Sequence, residues 1–111
     1  MSKPSDLVQG TLDLLLLKII ALEPQHGWAI SQRLKQVSND QLQASDGSIY
    51  PSLQKLELAG WIRSDWRTSE LGRRAKFYAL TPAGRRRLAH ETEEGQRLSS
   101  AVSRVLRMKE V

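Results

Sequence analysis

The sequence contains no cysteine, which excludes disulfides, thiolate metal sites and a cysteine nucleophile, and permits a reducing interior. Histidine is nearly as scarce. His26 has no second histidine or carboxylate at ligand spacing nearby, so a helix-start histidine with a satisfied hydrogen bond accounts for it better than a metal or a general base does. His90 is equally isolated from any catalytic pattern, and no glycine-rich phosphate loop occurs. With a nucleophile–base pair, a metal cluster and a phosphate cradle all missing, the sequence calls for no catalytic residue, no metal and no cofactor. Long hydrophobic runs are also lacking, because Asp13 and Lys18 interrupt the one apolar stretch near the start. The opening M-S-K-P-S-D-L carries an acid and no cleavage signature, so neither a signal peptide nor a membrane span is expected. A cytoplasmic protein follows from that reading.

Basic charge is present in excess. The formal net charge is +5, which by itself points only weakly to nucleic acid. Its distribution says more. From Arg63 to Arg87 there are eight basic residues against two acids, Asp65 and Glu70, while the rest of the chain holds nine basic against ten acidic residues. All the excess therefore lies in one segment, an asymmetry that favours a polyanion partner over a mixed solvated surface.

The 111 residues suffice for one modest core and an extension. Residues 1 to 8 read as a loose arm. From Gly10 a helix is expected that is apolar nearly all round, with Leu12, Leu15, Leu16, Ile19, Ile20 and Leu22 inward and Pro24 ending it. Leu14 and Leu17 are left over, available to a second subunit. His26 opens a second helix with Trp28 or Ala29, Ile30, Leu34 and Val37 inward, fading near Ser38-Asn39-Asp40. A short polar connection, Gln41 to Gly47, leads into the stretch S-I-Y-P-S-L-Q-K-L-E-L-A-G. Here Ile49, Leu53 and Leu56 form a core stripe while Tyr50, Gln54 and Lys55 point elsewhere. Pro51 lacks an N–H, which makes Ser48 the comfortable cap and Asp46 the rival.

Glycine at 60 closes that helix. Residues 61–67 and 75–80 alternate apolar and polar as half-buried strands do, and enclose a basic tip with Arg67, Arg73, Arg74 and Lys76. Thr81-Pro82-Ala83-Gly84 then starts a last helix reaching about Lys109. Leu88, Gly95, Leu98, Val102 and Val105 fall on heptad a and d positions, although Glu91 interrupts them. So long an apolar stripe beyond a completed core calls for a partner surface, and a homodimer supplies it most simply. Trp28 and Trp61 are expected in the core; Trp66 fits either the core or the wall of a small pocket. The fold class is mainly α with a small β-hairpin, a winged helix-turn-helix over 1–80 plus a long C-terminal helix over 81–111.

With those residues in place, the chain resembles the PadR family of bacterial transcriptional regulators, particularly its short members with a single C-terminal helix. The matching stretches are L-V-Q-G-T-L-D-L-L-L-L, H-G-W-A-I, G-S-I-Y-P-S-L-Q-K-L-E-L-A-G-W-I and G-R-R-A-K-F-Y-A-L-T-P-A-G-R-R-R-L. The resemblance implies a repressor that binds a palindromic double-stranded DNA operator as a homodimer, with the third helix in the major groove and the last helix at the dimer interface. On this reading Ser48, Tyr50, Pro51, Ser52, Gln54 and Lys55 of the third helix meet DNA, Arg67, Arg73, Arg74 and Lys76 of the wing flank it, and Leu14, Leu17, Leu88, Gly95, Leu98, Val102 and Val105 join two copies. No aromatic residue follows Tyr78, so a small-molecule effector at the dimer centre has no support. The alternative is a protein-interaction module of the same fold, its basic wing docking an acidic partner.

Overall fold

A helix that is apolar on every side needs neighbours on every side, and the first helix has them. The computed structural model describes residues 4–38 and 46–111. Its first helix, α1 (Pro4–Leu22), packs against all three other helices and the middle strand of the sheet. Leu12, Leu16, Leu17, Ile19 and Ile20 of α1 are buried. Around them stand α2 (Gly27–Val37), α3 (Asp46–Leu58), β2 (Ile62–Thr68), β3 (Arg74–Leu80) and α4 (Pro82–Leu106), with β1 (Gln25–His26) between the first two helices. Ile30 and Leu34 of α2, Ile49, Leu53 and Leu56 of α3, and Ile62, Tyr78 and Leu80 of the sheet complete one core. Each fully buried aliphatic side chain there stabilises by about 1.5–3 kcal/mol.

Two junctions define how the parts meet. At the end of α3 the Gly60 N–H donates to the Glu57 carbonyl and the Trp61 N–H to the Leu56 carbonyl, a Schellman closure whose turning residue must be left-handed. Gly60 supplies φ 81°. At the start of α4 the Thr81 hydroxyl accepts from the Gly84 N–H at 3.0 Å and donates to the Gly60 carbonyl at 2.6 Å. One threonine thus caps α4 and ties it to the turn that ends α3.

The structure departs from the sequence reading at several places. The first helix begins at Pro4, not at Gly10, so part of the expected arm is helical. The sheet has three strands in the order β1-β3-β2, all antiparallel, instead of a simple hairpin. Gln25 pairs with Tyr78 and His26 with Phe77, a partnership between residues some fifty apart that no local pattern announces. Leu22, Trp28 and Val37, expected inward, are 55%, 61% and 68% exposed; each sits near a helix end. Ser48 lies inside α3, which starts at Asp46, and is not its cap. Pro51 is therefore interior, and leaves the Gly47 carbonyl without its helical donor on an exposed turn. Of the expected connection from Gln41 to Gly47, residues 41–45 lie outside the described residues, as do Asn39 and Asp40 where α2 was to fade, while Asp46 and Gly47 already belong to α3. The last helix ends at Leu106, with Arg107 as its cap.

Candidate nucleic-acid interface

The exposed face of α3 and the wing β2–β3 stand on either side of one cleft. Helical spacing turns Ile49, Leu53 and Leu56 into the core and leaves Tyr50, Pro51 and Gln54 outside. Tyr50 is half exposed, and its position is set by a neighbour that sequence reasoning overlooked. A Cβ on Gly27 would come within 2.7 Å of Tyr50 Cε1, so only glycine at the first turn of α2 lets the ring lie against the backbone. The signal was present in H-G-W-A-I, where a glycine stands in a helical segment without an evident turn to make. His26 caps α2, its Nδ1 accepting from the Ala29 N–H at 3.4 Å. Its ring meets Phe77 edge-on at 5.2 Å.

Two residues of α3 expected at the DNA surface are engaged elsewhere. Ser52 is 1% exposed and cannot touch a duplex; one turn from Ile49 and next to Leu53, it shares the core stripe. Lys55 forms an ion pair with Asp13 of α1, on the side of α3 away from Tyr50. There it lines a small groove with Leu14, Trp61, Arg87 and Glu91. The other oxygen of Asp13, Oδ1, is buried and has no hydrogen-bond partner among the described residues. Ser48 is partly buried within α3.

In the wing the cross-strand register sorts the charges. Trp66 lies opposite Lys76 and Thr68 opposite Arg74, on the face that continues the buried Ile62 and Leu80 toward α3. Arg67 lies on the opposite face, where it pairs with Asp65 at 3.2 Å and stacks over Phe77 at 5.5 Å. Lys76 reaches back to Glu57 of α3 at 3.3 Å, joining wing to helix. The Glu57 carboxyl is held below the ordinary carboxylate range by the Ser64 hydroxyl at 2.5 Å and, against the pull of burial, by Lys76. Burial pushes the Tyr78 phenol up beside it. Arg73 and Arg74 are exposed and have no ion pair among the described residues. They close the far side of a cleft of about 810 Å³ whose other walls are His26, Trp28, Tyr50 and Trp66. Trp66 is thus a wall residue.

A second open surface lies between α1 and α4. Leu17 is 1% exposed and belongs to the protomer's own core, which removes it from any interface between copies. Leu14 lies half-buried against α4, its Cδ2 3.6 Å from where a Cβ on Gly95 would stand, an ordinary van der Waals distance, so the approach of α1 to α4 does not require glycine there. Leu88 packs on the core. Leu98, Val102 and Val105 are about half exposed or more, and the first two line a groove with Leu14, Gly95 and Ser99. Arg87, one of three consecutive arginines at the start of α4, stacks over Trp61 at 4.7 Å and pairs with Glu91.

A helical core, a polar-faced third helix and a wing carrying exposed arginines on the same side define a winged helix-turn-helix DNA-binding protein. Residues 16–90 match the transcriptional regulator PadR-like family, and the chain belongs to that family. It is 36% identical over 77 residues to transcriptional regulator Rv3488 of Mycobacterium tuberculosis, covering 69% of this chain and 68% of that one. Among solved structures, a Streptococcus transcriptional regulator superposes with a TM-score of 0.78 at 32% identity, over 89% of this chain and 95% of its own. The PadR-like transcriptional regulator of Bacillus cereus strain ATCC 14579 superposes with a TM-score of 0.81 at 27% identity, over 94% and 99%. The protein is a DNA-binding transcriptional regulator and not an enzyme. Among the described residues no helix is long and apolar enough to cross a membrane.

Proposed function

We propose that the protein is a repressor that acts as a homodimer by occupying a palindromic operator. The observation that carries this reading is that Tyr50 of α3 faces the exposed Arg73 and Arg74 of the wing across one cleft, with Gln54 exposed about one turn further along α3. Gln54 is exposed and has the donor–acceptor pair that matches adenine in the major groove, a contact that discriminates by about 1–3 kcal/mol. Arg73 and Arg74 displace counterions from phosphate and supply affinity without reading sequence. Lys55, drawn toward Asp13, anchors α3 to α1 and leaves base reading to Tyr50 and Gln54. Lys76, bound to Glu57, holds the wing at its angle to α3.

The dimer rests on α4. At about 1.5 Å per residue its 25 residues span roughly 37 Å, and beyond Gly95 its Leu98, Val102 and Val105 stay about half exposed or more, the first two along a groove shared with Leu14 of α1. A second copy covering Leu98, Val102 and Val105 sets two α3 helices against half-sites about one helical turn apart, roughly 10 bp. Occupancy alone then blocks transcription.

Selection from random duplex DNA tests the whole reading, and an inverted repeat should be enriched. Gln54→Ala should then relax base preference at one position of each half-site, whereas Arg74→Ala should weaken all sequences alike and reduce the slope of log affinity against log salt by about 1. Enrichment of no sequence, or of a single unrepeated one, refutes the proposal. Equal effects of the two substitutions on specific and non-specific binding refute the division of roles.

A further inference from the structure

Direct readout leaves one conspicuous residue of the wing unexplained. Leu71 sits at the tip of the β2–β3 hairpin and is 80% exposed. The tip that carries it is closed, not trailing: the Gly72 N–H donates to the Ser69 carbonyl at 2.9 Å and the Ser69 N–H to the Arg73 carbonyl at 2.6 Å. Gly72 turns the chain at φ 77°, with open space where a side chain would be. An isolated exposed leucine on a surface needs no explanation in general. This one has a direction. Leu71 lines the same cleft as Tyr50, Trp66, Arg73 and Arg74, and its acidic neighbour Glu70 does not. The leucine therefore shares the cleft that the recognition helix faces, with the exposed Arg73 and Arg74 beside it.

From this we infer that Leu71 is an apolar wedge that enters the minor groove beside each half-site and partly unstacks one base step, so that the wing reads the deformability of the DNA. The inference rests on the DNA-binding reading above and deepens it. The arginines neutralise the phosphates on both sides of the narrow groove and bring the tip to its floor. A leucine has no hydrogen bond to offer a base edge, so what it gains there is apolar contact with base faces exposed by a kink. Pyrimidine–purine steps unstack most readily, whereas runs of adenine resist. The wedge thus prefers a flexible step at a position that no polar side chain contacts.

The test uses the full chain and duplexes built on its selected site, differing only at the step under the wing: TA in one, AA in the other. Wild type should favour the TA duplex about fivefold and bend it, as measured by energy transfer between dyes at the duplex ends. Leu71→Ala should abolish both the preference and the extra bend with the salt slope unchanged, and Leu71→Met, which keeps an apolar tip, should retain them. Circular dichroism checks that both variants are folded. A Leu71→Ala variant that bends and discriminates as wild type does overturns the wedge and leaves DNA binding standing; so does wild type with no step preference. Absence of any selected site overturns the DNA reading itself, and the wedge with it.

Discussion

Gly27 and Tyr50 form a pair in which the smaller residue governs the larger. The would-be Cβ at position 27 meets only the far end of a half-exposed ring, and the ring can swing away into solvent. Alanine also gains about 1 kcal/mol over glycine in helix propensity, so the two effects offset and Gly27→Ala should leave the melting temperature nearly unchanged. The displaced ring should nevertheless weaken binding to the selected site by about tenfold, on the scale of one lost base contact, with non-specific binding unaffected. Thermal melts and gel-shift titrations separate the two quantities. If affinity for the selected site holds while Tyr50→Ala destroys it, the position of the ring set by Gly27 is immaterial. The glycine was visible in the sequence, but its role was not, because the clash it avoids lies on a helix twenty-three residues further on. Lys55 teaches the same lesson. Helical spacing placed it off the core stripe correctly, yet the ion pair with Asp13 depends on how α1 crosses α3, which no local pattern contains.

At the scale of elements, the junction between wing and last helix bears most strain if altered. The first turn of α4 presses on the α3–β2 turn so tightly that a Cβ at Gly84 would overlap the Trp61 carbonyl. Backbone cannot step aside as a side chain can. Gly84→Ala should therefore destabilise the fold by about 1–3 kcal/mol, as overpacking does, shifting the urea midpoint down with little change in slope. A midpoint at or above that of wild type would show that the two turns are not in the contact described. This junction was partly legible beforehand: T-P-A-G announces a capped start, and Leu58-Ala59-Gly60 a glycine-closed end. What the letters do not disclose is that Thr81 bonds Gly60 directly, which welds the two signals into one corner. The short strand β1 was illegible altogether, since two residues show no alternation and gain strand geometry only by pairing with β3.

The molecule as a whole is elongated, 61 × 28 × 26 Å, because α4 runs on past the body that its first turns cover. Glutamate at Val102 would place a charge in the middle of the stripe that the proposed second copy covers, and a buried unpaired charge is strongly unfavourable. Val102→Glu should yield a folded monomer by light scattering. That monomer should bind one half-site weakly and lose the preference for an inverted repeat, since linking two half-sites raises avidity without any new contact. A variant that stays dimeric would move the interface off this face of α4.

The heptad spacing of α4, the basic segment after Arg63, the core stripe of α3 and the capped start at Thr81 are local regularities, and the chain carried them before it folded. Periodicity and capping act within a few residues, so they decide which elements form and which faces turn inward. Whether Ser52 is hidden, Lys55 is held by Asp13, Leu17 is enclosed or Leu71 is aimed beside Tyr50 depends on the angles at which helices and wing meet. Those angles are set by side-chain volumes contributed from every part of the chain at once, and they exist only when the core is closed.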